Sequence, residues 1–230
     1  NYFSKKGSNL EVCSQRTNSI ARFIRFNALL NCMEIDVIIK DNHLDVSNSN
    51  EETLSLNLVD LVKIQQNKEN VLWLDLKNIQ SPKDCDKLFT SLKKIYSNND
   101  KLNLFIEFPS NIINKISHYK KCILDIKSMN FLISYQIPDD IKSKCVKETE
   151  LDFTNENQCQ FVEELIKKIY ESNLFTDLSF DYQKYNLIKD SKYINKFFLN
   201  TRNISDDQIV LINEEKFRLI SPLNDNINYN

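Results

Sequence analysis

A compact, single-domain α/β barrel of the (β/α)8, TIM type is the fold class this sequence predicts, on three observations. Short apolar runs alternate with amphipathic helical stretches almost from end to end. There are eight such runs, near residues 10, 33, 72, 104, 132, 176, 198 and 210. Most are continuous rather than alternating, the pattern of parallel strands covered on both faces. Eight βα units in 230 residues suit a closed barrel with short last helices. A doubly wound open sheet is the competing arrangement. One domain is expected over residues 1–222, with the asparagine-rich segment 223–230 as a frayed tail.

The elements follow in order. Leu10 to Ser14 reads as a short strand, and Asn18 or Ser19 then caps a helix with Ile20, Phe23, Ile24 and Leu30 on one broad face. Cys32 to Ile39 is an apolar run interrupted only by Glu34 and Asp36, with Leu44 and Val46 a short extension or hairpin after it. A helix is expected over Leu56–Gln66, then a buried strand over Val71–Lys77. Cys85, Leu88, Phe89, Leu92 and Ile95 recur at helical spacing within Asp84–Tyr96. Leu102–Phe108 is a strand stopped by Pro109, with a helix near Ile112–Tyr119. Phe131–Ile137 is a strand closed by Pro138, and polar Asp139–Thr154 is the longest irregular stretch. An amphipathic helix over Glu156–Tyr170 leads to strands at Leu174–Phe180, Phe197–Thr201 and Ile209–Ile212, with a helix near Tyr182–Ile194. Lys216–Ser221 offers a further short strand, and Phe197-Phe198 reads as barrel core.

Composition narrows function. Thirty basic against 32 acidic residues leave a net charge of -2, so nucleic acid and anionic membrane surfaces are poor partners. No apolar stretch approaches the roughly 18 residues a transmembrane helix needs. The chain has one glycine, Gly7, which excludes glycine-rich phosphate-cradling loops and with them Walker and dinucleotide-binding sites. About 30 asparagines can stand in at turns and helix ends, since asparagine tolerates the left-handed region. AT-rich codon usage explains the same excess. Compartment is not readable. The six cysteines include no C-x-x-C pair, and only His43 and His118 could join them in a metal site, so zinc is not expected. Cys13 and Cys32 lie in apolar runs, where buried free thiols are expected.

Charges inside apolar strands carry the functional reading. Glu34 and Asp36 sit two residues apart and therefore point to one side, and Asp75-Leu76-Lys77 ends the next main strand with the same spacing. Three unpaired buried carboxylates would cost several kcal/mol. Together they suit a hard cation such as Mg2+ or Ca2+, with Lys77 as charge partner or phosphate contact. Ion pairs with Lys77 and Arg16 inside the mouth explain them equally well. Glu107, Tyr135, Gln136, Asp177, Asp181, Arg202 and Asn213 stand at or just past strand ends as lesser candidates. Of these, Arg202 could bind a phosphate or carboxylate bidentately.

The order Gln15-Arg16-Thr17-Asn18-Ser19, Met33-Glu34-Ile35-Asp36-Val37, Leu72-Trp73-Leu74-Asp75-Leu76-Lys77 resembles the phospholipase C-like phosphodiesterase superfamily of TIM barrels. That superfamily includes glycerophosphodiester phosphodiesterases, the spider-venom sphingomyelinase D type and the menorin proteins. The resemblance covers roughly residues 10 to 80 and implies a divalent cation held by Glu34, Asp36 and Asp75. It also implies a substrate phosphate near Asn18 and Lys77, with Gln15 and Arg16 on the same rim and Arg202 as a further contact. The ligand class would be a phosphorylated small molecule, lipid headgroup or glycan. The two family histidines, which supply acid and base, are replaced: Gln15 holds the first position, and the second falls near Ser47 or Asn48. His43 comes about four residues early and reads as an exposed hairpin residue; His118 reads as a surface residue. Any catalysis would then use Glu34, Asp36 or Asp75 as base, or metal-bound water. A catalytically silent binding or interaction module is the alternative, and an unrelated α/β transferase or sugar-binding domain a third.

Overall fold

The computed structural model describes residues 11–41, 43–49, 56–65, 70–97, 102–149, 159–205, 208 and 217–222. Chain order is β1 (Glu11–Ser14), α1 (Ile20–Leu29), β2 (Cys32–Lys40), β3 (His43–Val46), α2 (Leu58–Ile64), β4 (Val71–Leu76), α3 (Pro82–Ser97) and β5 (Asn103–Phe108). It continues α4 (Ile116–Lys127), β6 (Leu132–Gln136), α5 (Ile141–Thr149), α6 (Gln160–Ser172), β7 (Asp177–Asp181), α7 (Tyr185–Ile188), β8 (Phe198–Ile204) and β9 (Phe217–Pro222).

Strand β4, reading VLWLDL, shows why the runs close into a barrel. Successive side chains alternate between faces. Leu72, Leu74 and Leu76 turn outward to the helix shell with Cys85, Leu88 and Leu92, whereas Trp73 packs inward with Phe105, Cys13, Cys32 and Leu219. Both faces are buried, which is why the runs read as nearly continuous apolar stretches. Eight parallel strands pair in the ring β1-β2-β4-β5-β6-β7-β8-β9, closed by β9 on β1, while β3 folds back antiparallel on the far half of β2. The barrel expected from the sequence is therefore the observed fold.

Local chemistry sets the helix ends. The Ser19 hydroxyl accepts from the Arg22 N–H at 3.3 Å to start α1, and the Asn57 side chain accepts from the Val59 N–H at 2.9 Å to start α2. Asn130 after α4 and Asn173 after α6 take left-handed φ of 62° and 55°, the role expected of asparagine where glycine is missing.

Several expectations are corrected. The eighth barrel strand is β9 at Phe217–Pro222, close to the stretch read as a supplementary strand; Ile209–Ile212 and the tail 223–230 lie outside the described residues. The polar stretch after Pro138 is not irregular throughout, because Ile141–Thr149 is helical. The helix expected near Tyr182–Ile194 is broken into a 3-10 turn, the short α7 and a second 3-10 turn at Ile194–Lys196. On α1, Phe23 and Phe26 are buried but Ile20 and Ile24 are half exposed, so the apolar face is narrower than the pattern suggests. Phe198 is 45% exposed beneath the Arg218 guanidinium rather than in the core.

The cysteine expectation is also overturned. Cys13–Cys32 joins β1 to β2 inside the barrel, Cys85–Cys122 joins α3 to α4, and Cys145–Cys159 ties α5 to the start of α6. These residues are far apart in sequence, and parallel pairing or helix neighbourhood brings each pair together. Among the described residues, no helix is long and apolar enough to cross a membrane.

Candidate functional site

Above the apolar barrel floor the inward positions become charged. Glu34 and Asp36 on β2, Asp75 on β4 and Glu107 on β5 face the interior, with Asp36 level with Asp75 and Asp75 level with Glu107 in the strand register. All four are nearly fully buried. Their positions follow from the alternation that turns their leucine and isoleucine neighbours outward.

Two cations answer these four carboxylates. Arg202 comes from β8, directly across the ring from β4, and its guanidinium spans the interior. Its Nε lies 2.7 Å from Glu34 Oε1, and one terminal nitrogen lies 2.9 Å from Asp75 Oδ2 and 2.7 Å from Glu107 Oε1. The guanidinium carbon stands 4.8 Å from the centre of the Trp73 ring, whose Nε1–H donates to Glu107 Oε2 at 2.9 Å. Lys77 Nζ lies 2.8 Å from Asp36 Oδ1 and 2.5 Å from Asp75 Oδ2. The Asn18 amide donates to Asp36 Oδ2 at 2.6 Å and accepts from the Asp36 N–H at 2.9 Å.

The electrostatics follow from burial and charge count. Burial pushes Glu34 up to about 8, against the pull of Arg202 and with help from Asp75, Glu107 and Asp36. Burial likewise raises Glu107, with Arg202 opposing. Burial works against the Lys77 ammonium, but Asp75 and Asp36 outweigh it and raise its pKa. Burial also opposes the Arg202 charge, and Glu107, Glu34 and Asp75 more than offset it. Four carboxylates against two cations would leave an excess of two negative charges if all were ionised, and the proton that Glu34 keeps up to about pH 8 answers part of that excess. Glu34 Oε2 is buried without a hydrogen-bond partner among the described residues.

That excess meets the requirement of a hard cation. One oxygen from each of Glu34, Asp36 and Asp75 lies within 4.8 Å of the others, so these residues could hold a metal ion. An all-oxygen donor set suits Ca2+ or Mg2+ rather than a softer metal, with Ca2+ bonds near 2.4 Å and Mg2+ bonds near 2.1 Å, both approximate.

A polar cavity of about 180 Å³ opens over this cluster. Glu34, Asp75, Lys77 and Arg202 line it, as do the sequence candidates Gln15, Arg16, Gln136 and Asp181. Arg16 is an exposed rim residue rather than the counter-ion of the carboxylates; Arg202 fills that role. Asn18 spends its amide on Asp36, which makes it a positioning group for that carboxylate. Tyr135 is not on the rim: its ring packs edge-on to Phe175 in the outer shell, and its hydroxyl donates to the Ser110 carbonyl. Asp177 is at the opposite end of the barrel, at the start of β7, bound to Arg218. Asn213 lies outside the described residues. His43, half exposed on the β2–β3 hairpin, lies 3.0 Å from Asp45, and His118 is exposed on α4, so neither histidine of the chain lines the cavity. The sequence reading missed Asp139, Lys184 and Asn203, which line the cavity together with Phe180. Their one signal was position, just past a strand end or at it.

No protein-family model matches the sequence, and no curated protein matches it. Among solved structures, a putative racemase from Roseobacter denitrificans superposes with a TM-score of 0.50 at 8% identity, over 92% of this chain and 55% of its own. A chitinase from Chromobacterium violaceum aligns at a TM-score of 0.42 and 9% identity, over 84% of this chain and 68% of its own. This chain thus spans about half the length of the racemase. At 8% identity that likeness shows a TIM-type barrel and nothing about the reaction.

Proposed function

We propose that the barrel mouth binds a divalent cation, Mg2+ or Ca2+, through Glu34, Asp36 and Asp75, and with it a phosphorylated ligand. The carrying observation is the crowding of acidic groups: four buried carboxyl groups around two cations, one of them holding a proton up to about pH 8, with Glu34 Oε2 lacking a hydrogen-bond partner among the described residues. A bound divalent cation would neutralise phosphate charge and polarise the phosphoryl group. The chain's own residues supply the rest. Asn18 fixes the orientation of Asp36, Lys77 brings a cation to the cavity surface, and Gln15, Arg16 and Gln136 offer donors on the rim. A phosphorylated small molecule, a lipid headgroup or a glycan phosphate each presents the group this mouth is charged to meet.

The ordered motifs favour a phospholipase C-like phosphodiesterase barrel, yet both histidines lie away from the cavity. Paired-imidazole acid–base catalysis, worth about 10²–10⁴ in rate for each group, therefore has no residues to run on. That favours a divergent enzyme or a non-catalytic binding module over a standard phosphodiesterase. The three disulfides support folding in an oxidising compartment.

The test pairs binding with turnover, measured with Mg2+ and Ca2+ on the wild type and Asp36→Ala, using a chromogenic phosphodiester. Cation binding lost in Asp36→Ala, with no turnover in either protein, is the expected result. Metal-dependent turnover that vanishes in Asp36→Ala would return the site to the enzymes, and absence of cation binding in the wild type would overturn the reading.

A further inference from the structure

Across the mouth from the carboxylate cluster stands a cation with an unusual partner. Lys184 closes the 3-10 turn that follows β7 directly, and β7 lies four places round the eight-strand ring from β2. Lys184 therefore faces the wall carrying Glu34 and Asp36 and lines the same cavity. Its side chain is only 11% exposed, yet the carboxylate bound to its Nζ belongs to Asp139, whose side chain is 81% exposed. Asp139 follows Pro138 on the link between β6 and α5. A second carboxylate, Asp181, stands farther off, its Oδ2 3.8 Å from the ammonium while its Oδ1 accepts from the Asn203 amide at 2.7 Å.

This asymmetry has a consequence. The exposed Asp139 carboxylate is rehydrated on leaving the pair, so its own departure costs little. A buried ammonium cannot go unpaired so cheaply. The Lys184–Asp139 pair is thus poised for exchange, with the lysine staying in place while the anion opposite it changes.

Backbone conformation points to the same rim. Among the described residues, five non-glycine residues have positive φ. Asn130 and Asn173 end helices, and Asp41 turns the β2–β3 hairpin. Arg16 (φ 48°) and Asn203 (φ 54°) do neither, and both line this cavity. Gln15 donates to Asn203 Oδ1 at 3.1 Å, and Asn203 donates to Asp181, so β1, β8 and β7 are tied into one rim beside Lys184. Strained backbone held by side-chain bonds is characteristic of ligand-binding edges.

We propose that Lys184 binds the phosphate group of the ligand and that the Asp139 carboxylate occupies the phosphate position until the ligand displaces it. The assignment rests on the reading of the mouth as a site for a phosphorylated ligand, and adds to it an anion contact separate from the cation ligands and a built-in competitor.

The probe is inorganic phosphate, titrated at constant ionic strength against wild type, Asp139→Asn, Lys184→Gln and Lys184→Arg, with binding read by calorimetry. A parallel Ca2+ titration is run on each protein. Removing the competitor in Asp139→Asn should tighten phosphate binding several-fold, and Lys184→Gln should weaken it about tenfold or more, as expected for loss of one charge-assisted contact. Lys184→Arg keeps the charge and should retain most of the affinity, which separates a binding role from a folding defect. Unchanged phosphate affinity in Lys184→Gln overturns the assignment while leaving the cation site standing if Ca2+ still binds. Weaker binding in Asp139→Asn overturns the competitor role. If neither wild type nor Asp139→Asn takes up phosphate, the anion site is refuted, and the Ca2+ series decides separately whether the cation site survives.

Discussion

Two buried carboxylate–arginine clusters occupy opposite ends of this barrel, and they are built differently. At the end opposite the mouth Asp177 faces Arg218, with one guanidinium nitrogen 3.2 Å from both carboxylate oxygens. Its Oδ2 also accepts from the Thr176 hydroxyl at 2.6 Å, and its Oδ1 accepts from the Asn200 amide at 3.3 Å. One charge meets one charge, and both oxygens are satisfied. At the mouth, four carboxylates share Arg202 and Lys77, and one oxygen of Glu34 has no hydrogen-bond partner among the described residues. A saturated pair is what structure alone requires. An unsaturated one beside a cavity marks a place where something else is expected to bind.

The sharpest way to break this contrast is to remove each arginine. Arg202→Met leaves Glu34, Asp75 and Glu107 without their shared cation and should cost about 3–5 kcal/mol in urea denaturation. Arg218→Met strands one carboxylate that keeps two hydrogen bonds, so about 1–3 kcal/mol is expected. Equal losses would mean that the two clusters are alike.

The next effect is on pH dependence. Glu34 holds its proton in the folded state up to about 8, against 4.5 ordinarily. Between those values the folded protein carries a proton that the unfolded chain has released, so stability falls as pH rises, by up to about 1.4 kcal/mol per pH unit, and levels off above about pH 8. Unfolding midpoints at pH 5, 6.5 and 8 in chelator should therefore decline, and Glu34→Gln should flatten the decline. The same slope in both proteins would place the proton elsewhere.

The smallest effect is expected from Asp177→Asn. It keeps the shape and leaves Arg218, which is partly exposed over the Phe198 ring, so a loss near 1 kcal/mol is expected. A loss above about 3 kcal/mol would show that this opposite end also stores charge the neighbours cannot absorb.

What could be read in the sequence divides along physical lines. Glu34, Asp36, Asp75 and Lys77 were visible because a charge inside an apolar run must face the interior, and alternation says which side it shares. Arg202 was visible as a strand-end cation but not as the partner of Glu34, Asp75 and Glu107, because that contact crosses the whole barrel and has no local signature. The same reason hides the disulfides: Cys13 and Cys32 become neighbours only when β1 and β2 pair. Lys184 and Asp139 sit in short irregular segments, where no periodicity separates a cavity residue from a solvated one. Ile209–Ile212 reads as the last main strand and Lys216–Ser221 as a supplementary one, yet it is Phe217–Pro222 that closes the ring, and ring closure is a long-range pairing with no local signature.

The most direct measurement is a thermal-shift titration with Mg2+ and Ca2+ on wild type, Glu34→Gln/Asp36→Asn and Asp177→Asn. A cation at 100 times its dissociation constant adds about 2.7 kcal/mol of stability by linkage. The expected result is a rise in melting temperature in wild type and Asp177→Asn that disappears in the double variant. A flat response in wild type, or a rise that survives the double substitution, would contradict a cation site at the mouth.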